Sequence, residues 1–232
     1  MVKAVLFAAT IMLFTSAYAG ADEFPDDYGQ SISKFSISVL NGTAMPAGDL
    51  WHNDSFYVES SGVPYNVNWG NTVSAATAVA ADYEITNDIA LGMQVGRDWR
   101  HGPQTAAPAT GGNITISQYT PYVKLLNRMG KITMYSVFGA GYYTVKADDL
   151  VLDGESMSSL LSYGHKNGYF GFNVGAGGTY ALGGGLEVGL DVTWHHICSN
   201  FSQVDLTSDA QVSQISITNV TPSLRIQYDF NL

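Results

Sequence analysis

The chain has 232 residues and a formal net charge of −10; 13% of its residues are charged, 46% are hydrophobic, and Cys198 is its only cysteine. An acidic chain without clustered Lys and Arg argues against a nucleic-acid partner, and one cysteine excludes an internal disulfide. The charged fraction is well below the ~25% of an ordinary soluble domain, which suits a surface that faces lipid better than one that faces water.

The chain opens "MVKAVLFAATIMLFTSAYAGADE": Lys3, an apolar run from Ala4 to Phe14, then Ala17-Tyr18-Ala19. That run is too short to cross a hydrocarbon core of ~30 Å as a helix, and with the small-residue site it reads as a signal peptide over 1–19, cleaved before Gly20. Residues 20–29 read as a short periplasmic lead-in, and 30–232 as one barrel domain. No run of 18 apolar residues follows, and no helical spacing persists for three turns. Period-2 alternation recurs instead, predicting strands near 30–40, 72–84, 89–99, 113–126, 132–145, 167–182, 186–197 and 215–230. Short turns at 84–88, 127–131 and 183–185 alternate with long polar segments at 41–71, 100–112, 146–166 and 198–214. This pattern predicts an all-β fold, an eight-stranded antiparallel up-and-down transmembrane β-barrel with tight periplasmic turns and longer external loops.

Residues 186–194 alternate most cleanly. Leu186, Val188, Leu190, Val192 and Trp194 share one face, with Glu187, Gly189, Asp191 and Thr193 on the other. The last strand repeats this, with Leu224, Ile226, Tyr228 and Phe230 against Arg225, Gln227 and Asp229. A soluble ligand carrier would turn its apolar face inward and need more charge outside. The scarcity of charge, and aromatics near strand ends on the apolar face (Tyr83, Tyr119, Tyr180, Trp194, Tyr228, Phe230), favour apolar side chains turned toward lipid. The polar faces then place Lys34, Asp82, Asp98, Lys124, Glu187, Asp191, Arg225 and Asp229 in the interior, with both faces mixed in 132–145. Eight strands leave an interior that side chains fill, so these charges are expected to pair and close the lumen, Arg225 with Asp191 or Glu187.

The stretches "ADYEITNDIALGMQVG" (81–96), "YSVFGAGYYTV" (135–145), "FNVGAGGTYALGGGLEVGLDVTW" (172–194) and "VTPSLRIQYDF" (220–230) together resemble the eight-stranded outer-membrane barrels of Gram-negative bacteria, OmpW-like and opacity-type barrels in particular. The resemblance covers most of the chain after the leader. It implies an integral outer-membrane protein, with membrane lipids, lipopolysaccharide and the barrel-assembly machinery as partners, and a conduit role for small hydrophobic molecules. One departure concerns assembly: such barrels usually end on an aromatic residue, whereas Asn231 and Leu232 follow Phe230 here.

The candidate chemistry lies in "HHICSN", 195–200. Adjacent strand residues point apart, so His195 faces inward and His196 outward, and the two cannot share a metal. Lipid A deacylases embedded in barrels carry a similar His-x-Ser-Asn motif, which makes His195, His196, Cys198 and Ser199 the candidate catalytic set. The spacing opposes it, because His196 and Ser199 are three apart and a base must reach its nucleophile within about 3 Å. Cys198 shares a face with His196 only if the strand runs that far, and an acidic partner would have to come from Asp205 or Asp209. His52, His101 and His165 fall in predicted external loops. "GAGGTY" lacks the third glycine of a dinucleotide fingerprint, and no GK[ST] occurs. Asp149, Asp153 and Glu155 are acidic loop residues without the order of a calcium loop. The reading is therefore non-enzymatic, without cofactor or metal: a structural or interaction protein of the outer membrane that binds or passes small hydrophobic molecules. Its rivals are a lipid A deacylase and a surface protein acting in adhesion or evasion through its loops.

Overall fold

A computed structural model describes residues 34–48, 67–68, 73–102, 104–105, 109–152, 155–156, 167–204 and 212–231. The expected signal peptide and lead-in lie outside these residues. Eight long strands form one closed antiparallel barrel. They are β1 (Lys34–Gly48), β2 (Ser74–Glu84), β3 (Ile89–His101), β4 (Ile114–Met129), β5 (Ile132–Ala147), β6 (Asn167–Gly183), β7 (Leu186–Val204) and β8 (Val212–Asn231). Each strand pairs with its sequence neighbours, and β1 closes the ring against β8, from Lys34 opposite Asn231 to Gly48 opposite Ile217. Closure leaves no free edge around the ring, with local register slips between Gly96 and Trp99 and between Ile197 and Phe201.

The strand count and order agree with the sequence pattern; the strand ends do not. β1 was expected to stop near residue 40 but runs to Gly48, and β7 and β8 continue as a ladder to Val204 opposite Val212. Predicted loop segments 41–48 and 198–204 are therefore strand. The signal fades there because one apolar and one polar face are required only where a wall separates lipid from lumen, while backbone pairing continues beyond it. The loops pair as well: Val67–Asn68 with Gln104–Thr105, and Ala109–Gly111 with Leu150–Leu152, which also takes Glu155–Ser156.

The core runs down the barrel axis. Outward positions of the wall are apolar and exposed, among them Val39, Val79, Leu91, Phe138, Leu190, Leu224 and Ile226. Leu186, Val188, Val192, Tyr228 and Phe230 are exposed on the same side, and Trp194 is half-buried there. Tyr83, Tyr180, Tyr228 and Phe230 lie toward the short turns, while Tyr119, Tyr142 and Phe170 form one cross-strand row toward the long loops. Two aromatic belts flanking an apolar band match the girdles of a membrane barrel. The mixed faces of β5 sort as Tyr135, Val137 and Tyr143 buried against Phe138 and Tyr142 exposed.

Candidate functional site

Three inward tiers fill the lumen. The lowest, nearest the short turns, is ionic. Lys34 Nζ donates to Asp229 Oδ2 at 2.7 Å, Lys124 Nζ to Asp82 Oδ2 at 2.5 Å, and Arg225 Nε to Asp191 Oδ2 at 2.9 Å. Arg225 also donates to Ser38 Oγ at 2.7 Å and lies 3.9 Å from Asp82, while Ser38 donates to Gln227 Oε1 at 3.2 Å and Gln227 to Asp229 at 2.8 Å, which joins the three pairs into one network. Glu187 accepts from Thr179 Oγ1 at 2.6 Å rather than from Arg225. Arg225 and Lys124 are 2% and 3% exposed, so water hardly screens these pairs. The open space among the groups at the turn-side mouth is about 20 Å³, room for about one water.

Tyrosines complete this tier, and glycines make room for them. Tyr135 on β5 lies over Gly177, its partner on β6, and donates to Asp191 on β7 at 2.6 Å; Gly177 and Asp191 are themselves cross-strand partners. Tyr122 on β4 repeats the device over Gly92 of β3 and donates to Asp82 on β2. A Cβ on Gly177 would stand 2.6 Å from the Tyr135 hydroxyl, and one on Gly92 would meet the Tyr122 ring. The Lys124 ammonium lies 4.9 Å from the Tyr135 ring centre and the Arg225 guanidinium 5.4 Å, so cations and rings stack into a plug. Tyr122 and Tyr135 are not among the residues that the charge alternation places in the interior. Their signal was parity: Tyr122 is in phase with Lys124, and Tyr135 stands opposite a glycine.

The middle tier is polar and mostly neutral. Asn219, His195, Asn173 and Gly139 form one cross-strand row, and Tyr143 Oη lies 3.2 Å from His195 Nδ1. Buried side-chain atoms of Gln118, Asn219 and Thr221 have no hydrogen-bond partner among the described residues. The top tier is an apolar collar of Ile114, Ile116, Val145, Ile197 and Ile217, all buried.

The candidate catalytic residues do not converge. His195 is buried in the lumen; His196 faces outward, stacked on Trp194 at 5.7 Å and 15° and against Phe172 at 5.0 Å. Strand β7 does reach Cys198, which is exposed on the outer side. The side chain of Ser199 lies outside the described residues, as do Asp205 and Asp209. His101 is not in a loop but ends β3, fully buried, because β3 continues two residues further than its apolar pattern. Asp98 sits where the β3–β4 register slips between Gly96 and Trp99, which interrupts the alternation that placed it inside; its side chain lies outside the described residues. Asp149 is exposed, while Asp153, the side chain of Glu155, His52 and His165 also lie outside. Among the described residues, no group of three His, Cys, Asp or Glu is placed to hold a metal ion.

No protein-family model and no curated protein matches the chain. Solved structures do. Neisserial surface protein A is 13% identical over 84% of this chain and 97% of its own, with a TM-score of 0.52. The outer membrane protein OprG of Pseudomonas aeruginosa is 15% identical over 89% and 100%, at 0.49, and the attachment invasion locus protein Ail of Yersinia pestis 13% identical over 86% and 99%, at 0.48. At 13% identity the likeness to the Neisserial protein is one of fold, a closed eight-stranded barrel.

Proposed function

We propose that this barrel is an integral, non-enzymatic protein of the bacterial outer membrane, exported behind a cleaved leader, with an OmpW-like role: it takes small apolar molecules at its loop-side mouth and releases them sideways into the bilayer. The observation that carries this reading is the order of the tiers. The collar of Ile114, Ile116, Val145, Ile197 and Ile217 is the apolar surface that such a guest meets from the loop side. Below it stand buried amides and then the ion-paired plug around Arg225. Stripping the partners from buried charges costs several kcal/mol, and a hydrocarbon replaces none of those bonds, so passage straight down the lumen is closed. The neutral outward wall supports the membrane setting and gives such a guest a direction of exit. The divergent orientations of His195 and His196 weigh against the hydrolase reading. The paired loop segments favour a second role, in which the loops present a surface to another molecule.

The test uses the refolded barrel in vesicles with the fluorescent probe N-phenyl-1-naphthylamine, alongside single-channel recording. Wild type should bind the probe and show no steady open-pore current, and Ile116→Asn with Ile217→Asn should weaken binding at least tenfold. A steady ohmic pore in wild type, or probe binding indifferent to the collar, would overturn the proposal.

A further inference from the structure

Among the described residues, the outward wall carries almost no charge. From β1 round to β8, the described side chains that point outward from the strands are apolar or neutral apart from Arg100 and Lys146 and the imidazole of His196. The two cations are not scattered. Arg100 on β3 pairs with Thr115 on β4, and Thr115 pairs with Lys146 on β5, so all three lie in one cross-strand row. Ile114 and Ile116 on either side of Thr115 point into the barrel, which turns Thr115 outward with its neighbours.

Two strand spacings separate the α-carbons of Arg100 and Lys146 by about 10 Å. Both side chains are long enough to meet over the threonine. The row also has a definite height. Thr115 and Lys146 stand four residues beyond Tyr119 and Tyr142, which pair in the loop-side aromatic row. Four residues of strand rise about 13 Å, or about 10 Å along the axis of a barrel tilted ~40°. Aromatic girdles mark the edge of the hydrocarbon, so the row stands at headgroup level, and long basic side chains reach down toward it.

We propose that Arg100, Thr115 and Lys146 form a binding site for a phosphate-bearing glycolipid of the outer leaflet. The site rests on the membrane reading above and names the partner on that side of the barrel. Arg100 supplies a planar fork for two phosphate oxygens, Lys146 a mobile point charge, and Thr115 a hydroxyl between them. Lys146 also contacts Asp148 at 3.3 Å, but its side chain is 62% exposed. An exposed pair of that kind is weak and yields to a dianionic ligand. The occupant is a lipid rather than a free anion because the row sits on the outer wall directly above an apolar surface, where acyl chains and a phosphate are engaged together.

The barrel is refolded in detergent micelles doped with bisphosphorylated lipid A or with its dephosphorylated form, and retained lipid is counted by native mass spectrometry. Wild type should retain the phosphorylated form at least tenfold better. Arg100→Gln/Lys146→Gln should abolish that preference, each single variant should reduce it severalfold, and Lys131→Gln at a turn-side position should leave it intact. Equal retention of both lipids, an unchanged preference in the double variant, or displacement by millimolar inorganic phosphate would each overturn the site. Vesicle flotation of the same samples reports insertion separately: a barrel that floats without lipid preference refutes the site alone, and one that does not float refutes the membrane reading.

Discussion

Arg225 is the residue on which the closed lumen depends. Its guanidinium holds Asp191 through Nε at 2.9 Å and reaches Ser38 and Asp82, so carboxylates from two strands converge on one buried cation. Its removal leaves Lys124 on Asp82 but strands the buried Asp191 carboxylate without a cation, which typically costs 3–5 kcal/mol, more than the pair contributes relative to an apolar filling. Arg225→Ala should therefore lower the urea midpoint of the refolded barrel and open intermittent ion current, whereas Arg225→Met with Asp191→Leu should restore stability without the network. A single variant as stable as wild type would mean that the network does not hold the plug. The charged partners were legible from alternation, since Asp191 and Arg225 fall on the polar faces of adjacent strands. The choice of Asp191 over Glu187 was not, because it is decided by where Tyr135 and Thr179 donate.

At the level of strands and turns, glycine spacing decides which rings enter the lumen. Gly92 lies between Tyr122 and Asp82 in one row, and a methyl group there would collide with the ring that bridges them. Overpacking of that kind costs about 1–3 kcal/mol. Gly92→Ala should destabilise the barrel by about that amount in wild type and by much less where Tyr122→Ala already leaves space, a non-additivity that a double-mutant cycle in urea measures directly. Additive effects would show that the ring and the glycine act independently. In sequence the pairing of glycine with ring is hidden, because period 2 reports which face a residue occupies and not which partner strand it meets. The 183–185 turn was legible for a simpler reason: Gly183, Gly184 and Gly185 have φ of 104°, 62° and 83°, a region that side chains disfavour. What could not be read was how far β1, β7 and β8 run above the apolar belt, since pairing there is carried by backbone groups that every residue has.

For the whole molecule, the membrane reading turns on the contrast between a neutral wall and a charged interior, and depth along the wall makes it measurable. Leu190 and Leu224 are cross-strand partners near mid-height and 65% and 63% exposed. In water such exposed leucines tolerate charge, and a surface substitution there would change stability by no more than about 0.5 kcal/mol. In lipid the same change costs about 2–4 kcal/mol at the midplane and about 0–1 near the interface. Leu190→Arg should therefore destabilise the vesicle-folded barrel by the larger amount, while Phe230→Arg, at the turn-side girdle, should lose little beyond the contact of its ring with Tyr228 at 4.8 Å. A soluble carrier predicts no dependence on depth, because the same solvent would bathe both positions. Urea titrations of the two variants in vesicles thus separate the environments: a steep difference requires a hydrocarbon layer around the middle of the wall, and equal small losses would place this barrel in water.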